Sequence, residues 1–124
     1  MILLNINAFA FSLDSLDFDE TLKKNETKTK EYTLKNNTKE IKQYSFSTDS
    51  NNVEIEPKFF VLSPEKSKKF ILKVKGKGKE GEHRFSIIIK EKTIKKEKDR
   101  GKSKNVIFLN KIVNIKQKYF LKTK

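Results

Sequence analysis

The stretch Pro57–Lys75, PKFFVLSPEKSKKFILKVK, decides the fold. Proline has no ladder donor, so Pro57 and Pro64 belong at strand starts, edges or turns. A short apolar run between them ends at Leu62, and Glu65, Lys66 and Ser67 form a polar turn. Beyond the turn, Phe70, Leu72 and Val74 alternate with Ile71 and Lys73, the period-2 pattern of a strand with one buried face. The segment reads as a corner between two strands of a small antiparallel β-domain.

Outward from that corner, Val, Ile, Phe, Tyr and Thr recur at alternating positions between polar turns, and helix signals are weak. Seven strands are expected: Ser12–Phe18, Thr29–Lys35, Ile41–Thr48, Val53–Ile55, Lys68–Lys75, Phe85–Ile89 and Val106–Leu121. Asn36-Asn37-Thr38 and Asp49–Asn52 are turn signals. Gly76–Gly81, with three glycines among lysines, reads as a flexible hairpin loop. Phe85, Ile87 and Ile89 share one face and Ile88 takes the other, so that strand should be central. Lys90–Lys104 is almost wholly charged and is expected to be a mobile loop or hairpin tip. A chain of 124 residues holds one domain with one modest core. The fold class expected is therefore all-β, a single immunoglobulin-like, seven-stranded β-sandwich over residues 11–124.

Residues 1–10, MILLNINAFA, are apolar, and Ala8-Phe9-Ala10 fits a signal-peptidase site with cleavage before Phe11. The basic leader of such a peptide is missing, so the segment reads as a truncated signal peptide, with a hydrophobic first strand as the alternative. It is too short to span a bilayer, and no membrane insertion is expected.

Composition narrows the chemistry. There is no cysteine, which excludes disulfides and thiolate chemistry, and His83 is the only histidine. Asp14, Asp17, Asp19 and Glu20 cluster, but they lack the loop glycine and spacing of a calcium site. No base–nucleophile pair occurs, and Gly76-Lys77-Gly78-Lys79 precedes a strand rather than a helix. Neither an enzyme, a cofactor nor a metal is expected. The net charge of +13 comes almost entirely from lysine, with arginine only at Arg84 and Arg100. Nucleic-acid readers lean on arginine, and these lysines are spread along the chain among glutamates, so the charge reads as a solvated surface and no nucleic-acid partner is expected.

The last strand is unusual. Ile107, Leu109, Val113, Ile115, Tyr119 and Leu121 share one parity, interrupted by Lys111 and Gln117, while Val106, Phe108, Ile112 and Phe120 take the other. Such a strand is either buried on both sides or presents one row to a partner. An exposed apolar edge is an aggregation hazard unless it pairs with another chain, and strand addition is an established recognition mode.

In this order the pieces resemble the N-terminal immunoglobulin-like domain of periplasmic pilus (fimbrial) chaperones. The resemblance rests on Ser12–Phe18 (SLDSLDF) after a signal-like stretch, and on Tyr32–Asn37 (YTLKNN). It also rests on Pro57 through Val74, and on Asn105-Val106-Ile107 leading to Ile115–Lys122 (IKQKYFLK). It implies a periplasmic protein that binds pilus or other secreted subunits by lending them its last strand. Ile107, Leu109, Val113 and Ile115 would be the apolar row of that donor strand. Lys116 or Lys118, depending on the alignment, would anchor the subunit's terminal carboxylate, and a self-capping dimer would cover the strand between partners. The chain departs from the family where an arginine is expected near Ser15 and where Lys122-Thr123 replaces Arg-Pro. It also ends where the family's second domain would begin. A major-sperm-protein-like module for acidic peptides and a small basic nucleic-acid binder are the alternatives.

Overall fold

A computed structural model describes residues 11–14, 18–99 and 101–123. The expected signal segment, residues 1–10, lies outside them. Among the described residues there are nine strands and no helix: β1 (Phe11–Leu13), β2 (Asp19–Lys23), β3 (Thr27–Asn36), β4 (Ile41–Thr48), β5 (Val53–Glu56), β6 (Phe59–Leu62), β7 (Ser67–Lys75), β8 (Gly81–Asp99) and β9 (Lys102–Lys122). They form two facing sheets, one in the order β1-β3-β7-β5 and the other in the order β2-β9-β8-β4-β6. The all-β immunoglobulin-like sandwich expected from the sequence is the fold observed.

The strand count exceeds seven for two reasons. The first strand, expected over Ser12–Phe18, begins at Phe11 as β1 and pairs with β3 in one sheet, and past its expected end an additional strand, β2, runs parallel to the end of β9 in the other. The corner stretch also crosses twice. After the cis Glu56–Pro57 bond the chain leaves β5 for β6, which pairs with β4 on the opposite sheet. The Ser63–Lys66 turn then returns it to β7. Consecutive strands from β1 through β8 lie in opposite sheets, and only β8 and β9 form a hairpin within one.

Gly76–Gly81 is accordingly a crossing between sheets and not a hairpin loop. Gly76 lies against the carbonyl oxygen of Lys23, where a Cβ would collide. Its N–H donates to the Glu26 carbonyl at 2.8 Å. Lys90–Lys104 is likewise no loop: most of it is β-ladder, with Asp99 facing Lys102 at the hairpin end. Charge does not exclude a strand when every second residue has somewhere to go. Here Glu91 and Thr93 turn inward and are buried, while Ile94 lies opposite Ile41.

The core follows the pleat. Tyr32 and Leu34 from β3, Phe70, Leu72 and Val74 from β7, Tyr44 and Phe46 from β4, and Phe85, Ile87 and Ile89 from β8 all point between the sheets. Phe46 and Phe70 stack across them at 4.4 Å between centroids. Burial of such side chains is the main stabilising term, about 25 cal/mol per Å² of apolar area. As expected, β8 is the central strand of its sheet.

Candidate functional site: the open edge of β9

Two polar side chains set the frame around β9. Asn36, fully buried at the end of β3, donates from Nδ2 to the carbonyls of Glu40 (2.8 Å) and Leu62 (3.0 Å), and its Oδ1 accepts from the Thr38 N–H. It thereby holds the β3–β4 crossing to the β6–β7 crossing. Gln117, one of the interruptions in the apolar row, is buried because its Oε1 accepts from the Phe18 N–H at 2.6 Å. This bond brings the chain leading into β2 alongside β9.

Along one side β9 pairs with β8 over nearly its whole length. Along the other it pairs with β2 only from Lys118 to Lys122. The backbone edge from Lys102 to Gln117 therefore has no strand beside it among the described residues. At about 3.3 Å per residue, that edge runs for roughly 50 Å.

A β-bulge divides it. Glu91 lies opposite Lys111 and Lys92 opposite Leu109, so Asn110 is the extra residue. One inserted residue reverses the faces of everything beyond it. The single row of Ile107, Leu109, Val113 and Ile115 is therefore not a row. Val113 and Ile115 face inward, opposite Ile89 and Ile87, and pack partly on the core. Ile107 and Leu109 lie on the outer face opposite Ile94 and Lys92, and each is 54% exposed. Ile112 joins them on the outer face, while Phe108 faces inward. Lys116 and Lys118 also project outward and are exposed. Lys118 lies 3.6 Å from Glu82, whose carboxyl is held below the usual range mainly by its hydrogen bond to Arg84, with Lys118 contributing less. His83 stacks on Tyr119 at 5.0 Å, with Nε2 2.6 Å from the Lys79 carbonyl oxygen.

The inward face beneath the bulge carries a polar group that the sequence reading passed over. Lys42 is buried on β4, its Nζ 2.7 Å from Thr93 Oγ1 and 3.9 Å from Glu91. Asn110 Nδ2 donates to Thr93 Oγ1 and reaches Glu91 at 3.5 Å. Tyr44 adjoins Glu91, and burial first, then that carboxylate, pushes its phenol well above the normal range. The signal was available: Lys42 shares parity with Tyr44 and Phe46, and Glu91 with Ile87 and Ile89. A charged residue in a core register marks a built polar site, because an unpaired buried charge is prohibitive.

No protein-family model and no curated protein matches this sequence. Solved structures do match in fold. An ASH/PapD-like domain of human CEP192 superposes with a TM-score of 0.63 at 8% identity, over 93% of this chain and 87% of that one. WR4, a major-sperm-protein family member from C. elegans, gives 0.59 at 10%, over 92% and 99%. The CsuC–CsuE chaperone–tip adhesion subunit pre-assembly complex from the chaperone-usher Csu pili of Acinetobacter baumannii gives 0.56 at 10%, over 90% and 57%. This chain spans little more than half the length of that matched chain. The fold is thus the PapD-like immunoglobulin sandwich, shared by chaperone and major-sperm-protein domains.

Proposed function

We propose that this PapD-like domain is a periplasmic, chaperone-like binding module that captures an extended segment of a secreted subunit by strand addition along β9. The observation that supports the reading best is the open edge from Lys102 to Gln117, along which the half of the backbone donors and acceptors turned away from β8 lies beside no other strand among the described residues. Long edges of this kind are suppressed in proteins that do not use them. Main-chain bonds would supply affinity, and the side chains of β9 would supply register. The bulge leaves Ile107 and Leu109 as the exposed contact row and turns Val113 and Ile115 toward the core on the opposite face. Lys116 and Lys118, near where β2 closes the edge, would receive the partner's terminal carboxylate. Fold alone carries no function; the edge is what favours this reading over an acidic-peptide module.

The test is capture from a periplasmic and envelope extract on the immobilised full chain, washed at high salt. Retention of one or a few secreted β-rich subunits, lost on Leu109→Glu with an unchanged circular dichroism spectrum, is the expected result. Retention only at low salt, of assorted acidic macromolecules, sinks the reading, because screening then removes all the binding.

A further inference from the structure

Beyond the sandwich proper, the inward face of the β8–β9 hairpin continues as an overhanging shelf. Glu40 and Lys42 from the β4 side, Thr93 and Lys95 from β8, and Phe108 and Asn110 from β9 line a concavity of about 450 Å³ there. Its charges are arranged unevenly. Glu91, itself buried, faces Lys42 from below. Glu40 lies across the mouth and divides its carboxylate between the two lysines. Its Oε1 is 3.7 Å from Lys42 Nζ, and its Oε2 is 3.3 Å from Lys95 Nζ.

The Glu40 side chain is 44% exposed and Lys95 55%. Exposed ion pairs hold weakly, so this carboxylate is displaceable. Lys42 is not: it is 6% exposed and fixed by Thr93. The arrangement is a preorganised cation beside an exposed one, with a carboxylate of the same chain seated between them and an aromatic wall alongside.

We infer that this shelf is a carboxylate-binding site, filled in the free protein by Glu40 and taken over by an acidic side chain of a bound polypeptide. The identity of the occupant rests on the strand-addition reading, since Phe108 and Asn110 bring the shelf to β9 itself. The site stands apart from Lys116 and Lys118, which lie on the opposite face of the same strand. Charge balance permits a competing ligand. With Glu91 neutralising Lys42, exchange of Glu40 for an incoming carboxylate leaves the net charge of the shelf unchanged, and removal of Glu40 leaves one cation in need of an anion.

The experiment uses the full chain labelled with ¹⁵N, titrated with sodium acetate against sodium chloride at matched ionic strength. The readout is the amide shifts of Thr93, Lys95, Phe108 and Asn110. Glu40→Gln should bring acetate saturation to a concentration about five- to tenfold lower than in the parent chain. Adding Lys95→Ala should remove the gain. Acetate shifts in Glu40→Gln no different from those with chloride would overturn the inference.

A soluble alternating valine–threonine peptide with one glutamate separates the two readings. If it shifts residues 102–117 while acetate leaves the shelf untouched, strand addition stands and the carboxylate site falls. If acetate binds the shelf and the peptide does not bind β9, the site stands and strand addition falls.

Discussion

At the scale of single residues, the buried polar side chains carry most of the specificity. Asn36 satisfies carbonyls on both crossings at once, and no apolar substitute can do so. Asn36→Ala should lower stability by about 1–3 kcal/mol, the cost of buried groups left without partners, read as a lower urea midpoint with an unchanged slope. Tyr44 makes a prediction with a definite sign. Its phenol titrates higher in the folded protein than in the unfolded chain, because burial and then Glu91 oppose the phenolate. The stability this contributes is complete below the unfolded value of about 10 and is lost as pH rises above it. Alkaline unfolding followed by circular dichroism should begin above pH ~10, and Tyr44→Phe should flatten that limb while lowering stability at pH 8 by about 1–3 kcal/mol, because buried Glu91 loses a hydrogen-bond donor. An unflattened limb would assign alkaline unfolding to lysine deprotonation instead.

At the scale of the element, β9 does two jobs divided by one bulge. Its inward residues beyond Asn110 belong to the core, and its outward residues before Asn110 do not. Leu109→Glu should therefore change stability by no more than about 0.5 kcal/mol. Val113→Glu, with its side chain against the core, should cost roughly 2 kcal/mol or more. Thermal melts of the two variants make the comparison, and equal losses would contradict the bulge. The same device lets β8 remain a strand beyond Lys90: once Glu91, Thr93 and Lys42 satisfy one another inside, Lys90 and Lys96 are free to face water.

At the scale of the whole molecule, the successive crossings from β1 to β8 help to make most tertiary contacts non-local. Such topologies fold slowly, since loop closure precedes the contacts that reward it. The charge of +13 adds self-repulsion to the folded state. The ion pairs on view, such as Lys69–Glu31 at 3.2 Å, are exposed and weak. Raising sodium chloride from about 20 mM to about 300 mM, which shortens the screening length to under 10 Å, should therefore raise Tm by a few degrees. A fall in Tm would mean that the ion pairs outweigh the repulsion.

The alternation around Tyr32, Phe46, Phe70 and Ile87 was enough to specify an all-β sandwich, because a strand's side chains change face at every residue and the apolar ones must meet. The Pro57–Lys75 corner and the central place of β8 were legible on the same ground. Parity also carried the burial of Lys42 and Glu91, though it was not used. What parity cannot reveal is an insertion in the ladder. The Asn110 bulge exists only because β8 lies beside β9 and Thr93 and Glu91 receive its side chain, so the division of the donor row was decided in three dimensions. The same holds for the pairing of β2 with β9, the crossing at Gly76 and the open edge itself. Pairing is a property of neighbours in space, and a sequence records only neighbours along the chain.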